Sequence, residues 1–215
     1  SGAPPVAPPM PRAGRRRPSR AALGVGERAR RVAGRPGGRK SEIQYTAPRL
    51  FRAAVELSRT RPGIRFVIPV VPGLRHAIEP LRKQYAPELP ITLLDGRSHE
   101  ALAACDLTLI ASGTATLEAA LFKRPMVITY VMHALNWQMM KRMNYQPWVG
   151  LPNILLNDFA VPEFLQGAAA PAKLAEASFA WLDDPARCEA IRVRFEALHR
   201  ELRCDTAQRA TDAID

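Results

Sequence analysis

Cysteine is scarce in this chain: three in 215 residues, Cys105, Cys188 and Cys204. An odd number with no metal-binding spacing excludes a disulfide framework and fits free thiols in a reducing cytoplasm. Long apolar runs are missing too. No stretch of about 18 apolar residues occurs, so no transmembrane helix is expected. The N-terminal residues include Arg but no continuous apolar core, which excludes a secretory signal. The four histidines, His76, His99, His133 and His199, make no H-x-x-x-H pair for zinc. There is no G-x-G-x-x-G and no G-x-x-x-x-G-K-[ST], so neither a nicotinamide dinucleotide site nor a P-loop is supported. Ser112 lies in no G-x-S-x-G elbow, which speaks against a hydrolase nucleophile.

Acidic residues are almost absent from the first forty positions. That segment holds ten Arg and one Lys against Glu27, a net charge of +10, whereas the rest holds 20 basic and 19 acidic side chains. The overall +11 therefore comes from one end, and the remainder is nearly neutral. A nucleic-acid groove needs basic residues spread over the folded surface, and none is visible. Residues 1–36 are rich in Pro, Gly, Ala and Arg and have too few large apolar side chains for a core, so they are expected to be disordered. Three origins fit them: an idle tail, a basic arm for acidic lipid or nucleic acid, or a stretch translated out of frame. No apolar strand is expected before Gly37-Gly38-Arg39.

What is present begins at Ser41, from which helix and strand alternate. Ile43, Ala47, Leu50, Phe51, Ala54 and Leu57 recur at helical spacing around Pro48. Residues 66–71 read as a strand whose Pro69 argues for a sheet edge or a bulge. A helix over residues 74–85, a strand over 91–94 and a short helix over 98–104 follow. The stretch LTLIASGTATLEAALFKRPM at 107–126 then reads as a buried strand, a Ser112-Gly113-Thr114 turn and a helix capped by Thr114. A strand over 126–131 and helices over 171–182 and 185–202 complete the pattern. Between them, residues 133–148 read as a helix. Its Trp137, Met140 and Asn144 pack onto the sheet, or its apolar and basic residues together meet a membrane or lipid chain. Residues 151–166 read as a loop with a short apolar segment.

This alternation predicts an α/β fold: a parallel sheet with helices on both faces. Ligands of such sheets bind at the carboxyl ends of strands, where Gly37–Arg39, Asp95–Ser98, Ser112–Thr114 and Tyr130–His133 would gather. The Ser112–Thr114 turn aims backbone N–H groups and a helix dipole at one spot, which suits a phosphate. Glu118, one turn on, could accept hydrogen bonds from sugar hydroxyls. An ordinary strand-to-helix turn, with Glu118 merely favourable near the helix start, fits the same residues.

Six motifs occur in order: G-G-R-K-S-E-I at 37–43, L-L-D-G at 93–96, A-S-G-T-A-T-L-E at 111–118, P-M-V at 125–127, L-P-N-I-L at 151–155 and P-E-F-L-Q at 162–166. Each is weak alone. Together, from about Gly37 to about Ala210, they resemble the C-terminal half of the lipid-A-disaccharide synthases. The resemblance implies one Rossmann-like half of a two-domain (GT-B) glycosyltransferase, here a domain over residues 37–215. It implies a UDP-2,3-diacylglucosamine donor and a 2,3-diacylglucosamine 1-phosphate acceptor, joined at the cytoplasmic face of the inner membrane by a peripheral enzyme.

The resemblance also implies roles. Gly37, Gly38 and Arg39 would meet the donor diphosphate, with Ser112, Gly113 and Thr114 presenting N–H groups and hydroxyls to it. Glu118 would hold the ribose, Asn153 would reach the donor, and Tyr130, Glu163 and Gln166 would lie near the cleft. No metal, cofactor or nucleic acid is implied. The family's usual Ser stands here as Gly38, which implies a weaker phosphate contact. The acceptor-binding half, with its proposed general base, has no counterpart in this sequence, so little transferase activity is expected of the chain alone. Another UDP-sugar enzyme of the same architecture, such as an epimerase, and a non-enzymatic binding module remain as alternatives.

Overall fold

The computed structural model describes residues 29–143 and 147–212. Along the chain run β1 (Arg31–Arg35), α1 (Lys40–Thr60), β2 (Arg65–Val70), α2 (Arg75–Tyr85), β3 (Ile91–Asp95), α3 (Ser98–Ala104) and β4 (Leu107–Ala111). Then come α4 (Thr114–Leu121), β5 (Met126–Tyr130), α5 (Ala134–Met143), α6 (Leu151–Leu156), β6 (Glu163–Leu165), α7 (Pro171–Leu182) and α8 (Pro185–Asp212). Among the described residues the strands form one parallel sheet in the order β3-β2-β1-β4-β5-β6. This is the doubly wound, Rossmann-like arrangement.

The strand that the sequence was expected to lack is at the centre of this sheet. β1 pairs with β2 on one side and β4 on the other, so the folded domain starts before Gly37. Only Val32 and Ala33 in R-V-A-G-R are apolar, which is why no hydrophobic run marks it. Its burial comes from its neighbours. A Cβ on Gly34 would stand 3.3 Å from Ile68 Cγ1, closer than ordinary packing. Asp106 reinforces the start of the strand: its carboxylate accepts from Arg31 N at 2.9 Å, and its own N–H donates to Arg31 O at 2.8 Å. The disorder expected of residues 1–28 falls outside the described residues.

Pro69 also sits differently from the expectation, since β2 is flanked by β1 and β3 and is neither an edge nor bulged. Arg65 N donates to Arg30 O on the β1 side, and Gly96 N to Val70 O on the β3 side. Alternation therefore aims the Pro69 nitrogen at β1, beyond the last β1–β2 pair, Ala33 with Val67. A missing N–H breaks no ladder bond there.

Helices cover both faces of the sheet. On one, α1 packs against α2 and α7; on the other, α3 covers β1 and β2, and α4 covers β4 and β5. Phe66 and Ile68 enter the main core, while Val67 between them meets Leu94 and Ala101 on the opposite face. Trp181 of α7 is fully buried, and its indole N–H donates to Met126 O at 3.1 Å. Residues 151–166, expected as a loop, contain α6 and the edge strand β6. In α5, Trp137 is half-buried and Leu135 and Met139 are exposed, whereas Asn144 and the Met140 side chain fall outside the described residues.

Candidate functional site

The strand order reverses between β1 and β4, and a doubly wound sheet opens a crevice at that point. A cleft of about 390 Å³ lies there. One wall comes from the end of β1 and the start of α1: Arg35, Gly37, Gly38, Arg39 and Glu42. The other comes from the end of β4 and the start of α4, from Ala111 to Ala115.

Each wall turns on a glycine that no other residue could readily replace. Gly37 has φ +127°, and a Cβ there would lie 2.6 Å from Glu42 Cβ. Gly113 has φ +129° and faces open space, so only its backbone conformation demands glycine. Gly113, not Thr114, is the cap residue of α4, and no side chain caps the helix. The Thr116 hydroxyl instead closes the turn by donating to Gly113 O at 2.7 Å. Thr116 N also donates to Gly113 O, at 3.0 Å, so the Thr114 and Ala115 N–H groups, at the positive dipole end of α4 and on the cleft wall, are the ones left for a ligand.

Charge in the cleft is mixed. Arg39 is exposed at the start of α1 and makes no ion pair among the described residues. Glu42, in the first turn of α1, accepts from Gly38 N at 2.9 Å. Arg35 reaches across to α4, where its Nη1 donates to Glu118 Oε2 at 2.5 Å. Tyr130, at the end of β5, has its phenol pushed up by burial and further by Glu42, with Arg39 opposing. These residues therefore share one electrostatic neighbourhood.

Four expected site residues have other commitments. Ser112 N already donates to Thr129 O in the sheet, and its hydroxyl donates to Val149 O at 2.9 Å, so that N–H is not offered to a ligand. Asn153 is completely buried. Its Nδ2 donates to Val161 O and to Glu163 Oε1, both at 2.8 Å, and its Oδ1 accepts from Ala160 N and Val161 N. No polar atom of Asn153 is left for the donor it was expected to reach. Glu163 also accepts from Val149 N at 2.9 Å and Gly150 N at 2.8 Å. Gln166 brackets Met132, accepting from its N–H at 2.9 Å and donating to its carbonyl at 3.1 Å. These side chains fasten the 147–166 segment beside β4 and β5.

The structure brings Gly37, Gly38, Arg39, Ser112, Gly113 and Thr114 into one cleft, with Glu118 and Tyr130 at its border. Asp95 at the end of β3 and Arg97 just after it are two strands from the crevice and pair with Arg75 and Glu100. Two charged cleft residues were not foreseen. Arg35 was missed with β1, since only a strand ending at that position puts it on the carboxyl edge. Glu42 carried a signal, an acid at the third helical position, where carboxylates commonly bind the preceding N–H groups.

The sequence profile of the lipid-A-disaccharide synthetase family matches residues 5–214. The chain belongs to that family. The match starts inside the basic segment. A lipid-A-disaccharide synthase of Albidiferax ferrireducens is 50% identical over 200 residues, covering 91% of this chain and 51% of the relative. One from Bordetella petrii is 46% identical over 224 residues, covering 98% of this chain and 57% of the relative. The family member described here thus spans about half the length of its curated relatives. Among solved structures, the C-terminal domain of a glycosyl transferase group 1 family protein from Francisella tularensis has a TM-score of 0.57 at 14% identity, covering 86% of this chain and 91% of that one. The UDP-GlcNAc 2-epimerase of Neisseria meningitidis, solved with UDP-GlcNAc, gives 0.58 at 12% identity, covering 81% and 43%. At such identities they establish the fold: one Rossmann-like half of the GT-B type.

Proposed function

We infer that the cleft binds the UDP portion of UDP-2,3-diacylglucosamine. The chain is then the donor half of a transferase that joins this sugar to 2,3-diacylglucosamine 1-phosphate, forming lipid A disaccharide and releasing UDP. One observation carries the reading: in a chain of this family, two glycine turns, an uncapped helix N-terminus and Arg39 converge at the switch point of the sheet. The Thr114 and Ala115 N–H groups at the start of α4 and the Arg39 guanidinium hold the diphosphate, and the same groups stabilise the charge that builds on departing UDP. Glu118 takes the ribose hydroxyls. Gly37 and Gly38 let the backbone approach the phosphates closely, with Gly38 lacking a hydroxyl to add. Asn153, Glu163 and Gln166 act at one remove by fixing the wall beside the sugar.

Acceptor binding and the general base are assigned to residues beyond this half. Membrane contact falls to α5, where Leu135 and Met139 are exposed one turn apart, with exposed Arg142 on the same side. Among the described residues no helix is long and apolar enough to cross a membrane.

Calorimetric titration of UDP into the chain tests the reading. Saturable binding is expected, weakened about tenfold or more by Arg39→Ala, since hydrogen bonds to charged groups contribute about 1.5–3 kcal/mol. Absence of UDP binding by the folded chain would overturn it. Disaccharide formation by the chain alone would overturn the assignment of the base elsewhere.

A further inference from the structure

The contact between Arg35 and Glu118 joins two groups that a nucleoside diphosphate would need separately. Arg35 lines the cleft beside the Gly37 turn and the α4 N-terminus, where phosphates would sit. Glu118 lies four residues into α4, on the side of the helix that carries Thr114. Their 2.5 Å ion pair neutralises both, and it is only partly shielded: the Arg35 side chain is 18% exposed and that of Glu118 39%. Partly exposed ion pairs contribute little net stability. A diphosphate brings more charge than one carboxylate and offers paired oxygens that match a guanidinium fork.

We propose that the Arg35–Glu118 ion pair is a latch that a nucleoside diphosphate opens, with Arg35 turning from Glu118 to the phosphates and the freed Glu118 carboxylate accepting the ribose hydroxyls. The proposal rests on the reading of the cleft as a nucleoside-diphosphate site. It adds Arg35 as a phosphate ligand and makes occupancy of the phosphate subsite the event that exposes the ribose acceptor. A ligand with only one of the two parts meets a different cleft from a ligand with both.

The two halves of the latch make opposite demands, which calorimetric titration of inorganic pyrophosphate and of UDP can read. Arg35→Gln is expected to weaken both ligands about tenfold or more, the usual scale for a lost charged hydrogen bond. Glu118→Gln is expected to tighten pyrophosphate several-fold, because Arg35 no longer has a competing carboxylate, while weakening UDP. This opposite response does not depend on the stability of the Arg35 variant. Unchanged pyrophosphate affinity in Arg35→Gln, weaker pyrophosphate binding in Glu118→Gln, or no pyrophosphate binding by the folded wild-type chain would each overturn the latch. UDP binding with such pyrophosphate results leaves the donor-site reading standing. The expected pyrophosphate responses with no preference for UDP over ADP support the latch and overturn the uridine assignment.

Discussion

Lys123 Nζ lies 2.6 Å from His199 Nδ1, tying the turn after α4 to the long C-terminal helix α8. Lys123 holds φ +57° and is 9% exposed, with Glu196 3.8 Å away. Burial pushes the Lys123 ammonium down, and Glu196 partly restores it. Burial also lowers the imidazole of His199, and the Lys123 charge lowers it further. A charged Lys123 can donate only to a neutral ring, so protonating His199 costs the hydrogen bond and adds repulsion. The folded pKa lies below the unfolded 6.5. The unfolded chain therefore takes up the proton first, and this part of the stability, full above pH 6.5, is lost as pH falls through the lower folded value. Thermal denaturation from about pH 8 to about pH 5 should show a falling melting temperature. His199→Gln keeps an acceptor without the titration and should fall less. Identical pH profiles would refute a titrating contact.

Gly37 and Gly38 are neighbours with opposite tolerance. Gly37→Ala must hold φ +127° with its Cβ against Glu42, and strained backbone of this kind costs about 1–3 kcal/mol. A Cβ added at Gly38 would meet nothing within 4 Å, so Gly38→Ser should leave stability within about 0.5 kcal/mol, as surface substitutions generally do. Denaturant titration of both variants measures this contrast. Because the introduced serine would bring a hydroxyl to the cleft wall, the Gly38→Ser chain should also bind UDP more tightly than the wild type.

Local patterns in the sequence located most elements closely. The helix Ser98–Ala104, the strand Leu107–Ala111 and the helix Pro171–Leu182 appear with the expected bounds, because each is a short apolar or amphipathic run between clear breakers. The parallel sheet followed from their alternation and the turn at Gly113 from its position after an apolar strand, whereas Gly37 was marked by the family motif G-G-R-K-S-E-I and not by a strand before it. β1 did not follow. Its Arg-Val-Ala-Gly-Arg has too little apolar surface to announce burial, and partners far along the chain supply it. The job of Asn153 was equally hidden, since its partners come from the next turn of chain and only the folded segment brings them to both ends of one amide.

Asn153 gives the clearest separation between holding the site and touching a ligand. Asn153→Ala removes two donors and an acceptor from a buried position, leaving Val161 N and Val161 O without their partner and Ala160 N with Asp158 O alone. Each buried group left unsatisfied costs about 1–3 kcal/mol, so the melting temperature should drop by several degrees or more. Cleavage of the 147–162 segment by added protease should quicken at the same time. A side chain that touched the donor directly would behave otherwise, with UDP affinity falling while melting and protease resistance stayed at wild-type values. Asn153→Asp sharpens the comparison. It keeps an acceptor for the two N–H groups but sets a second carboxylate against Glu163, where Nδ2 now donates at 2.8 Å. Repulsion at that point should destabilise the segment at neutral pH and relax as acid protonates one of the two carboxylates. A stability deficit that shrinks on acidification, with UDP affinity following stability, is the result expected of a buried brace behind the cleft wall.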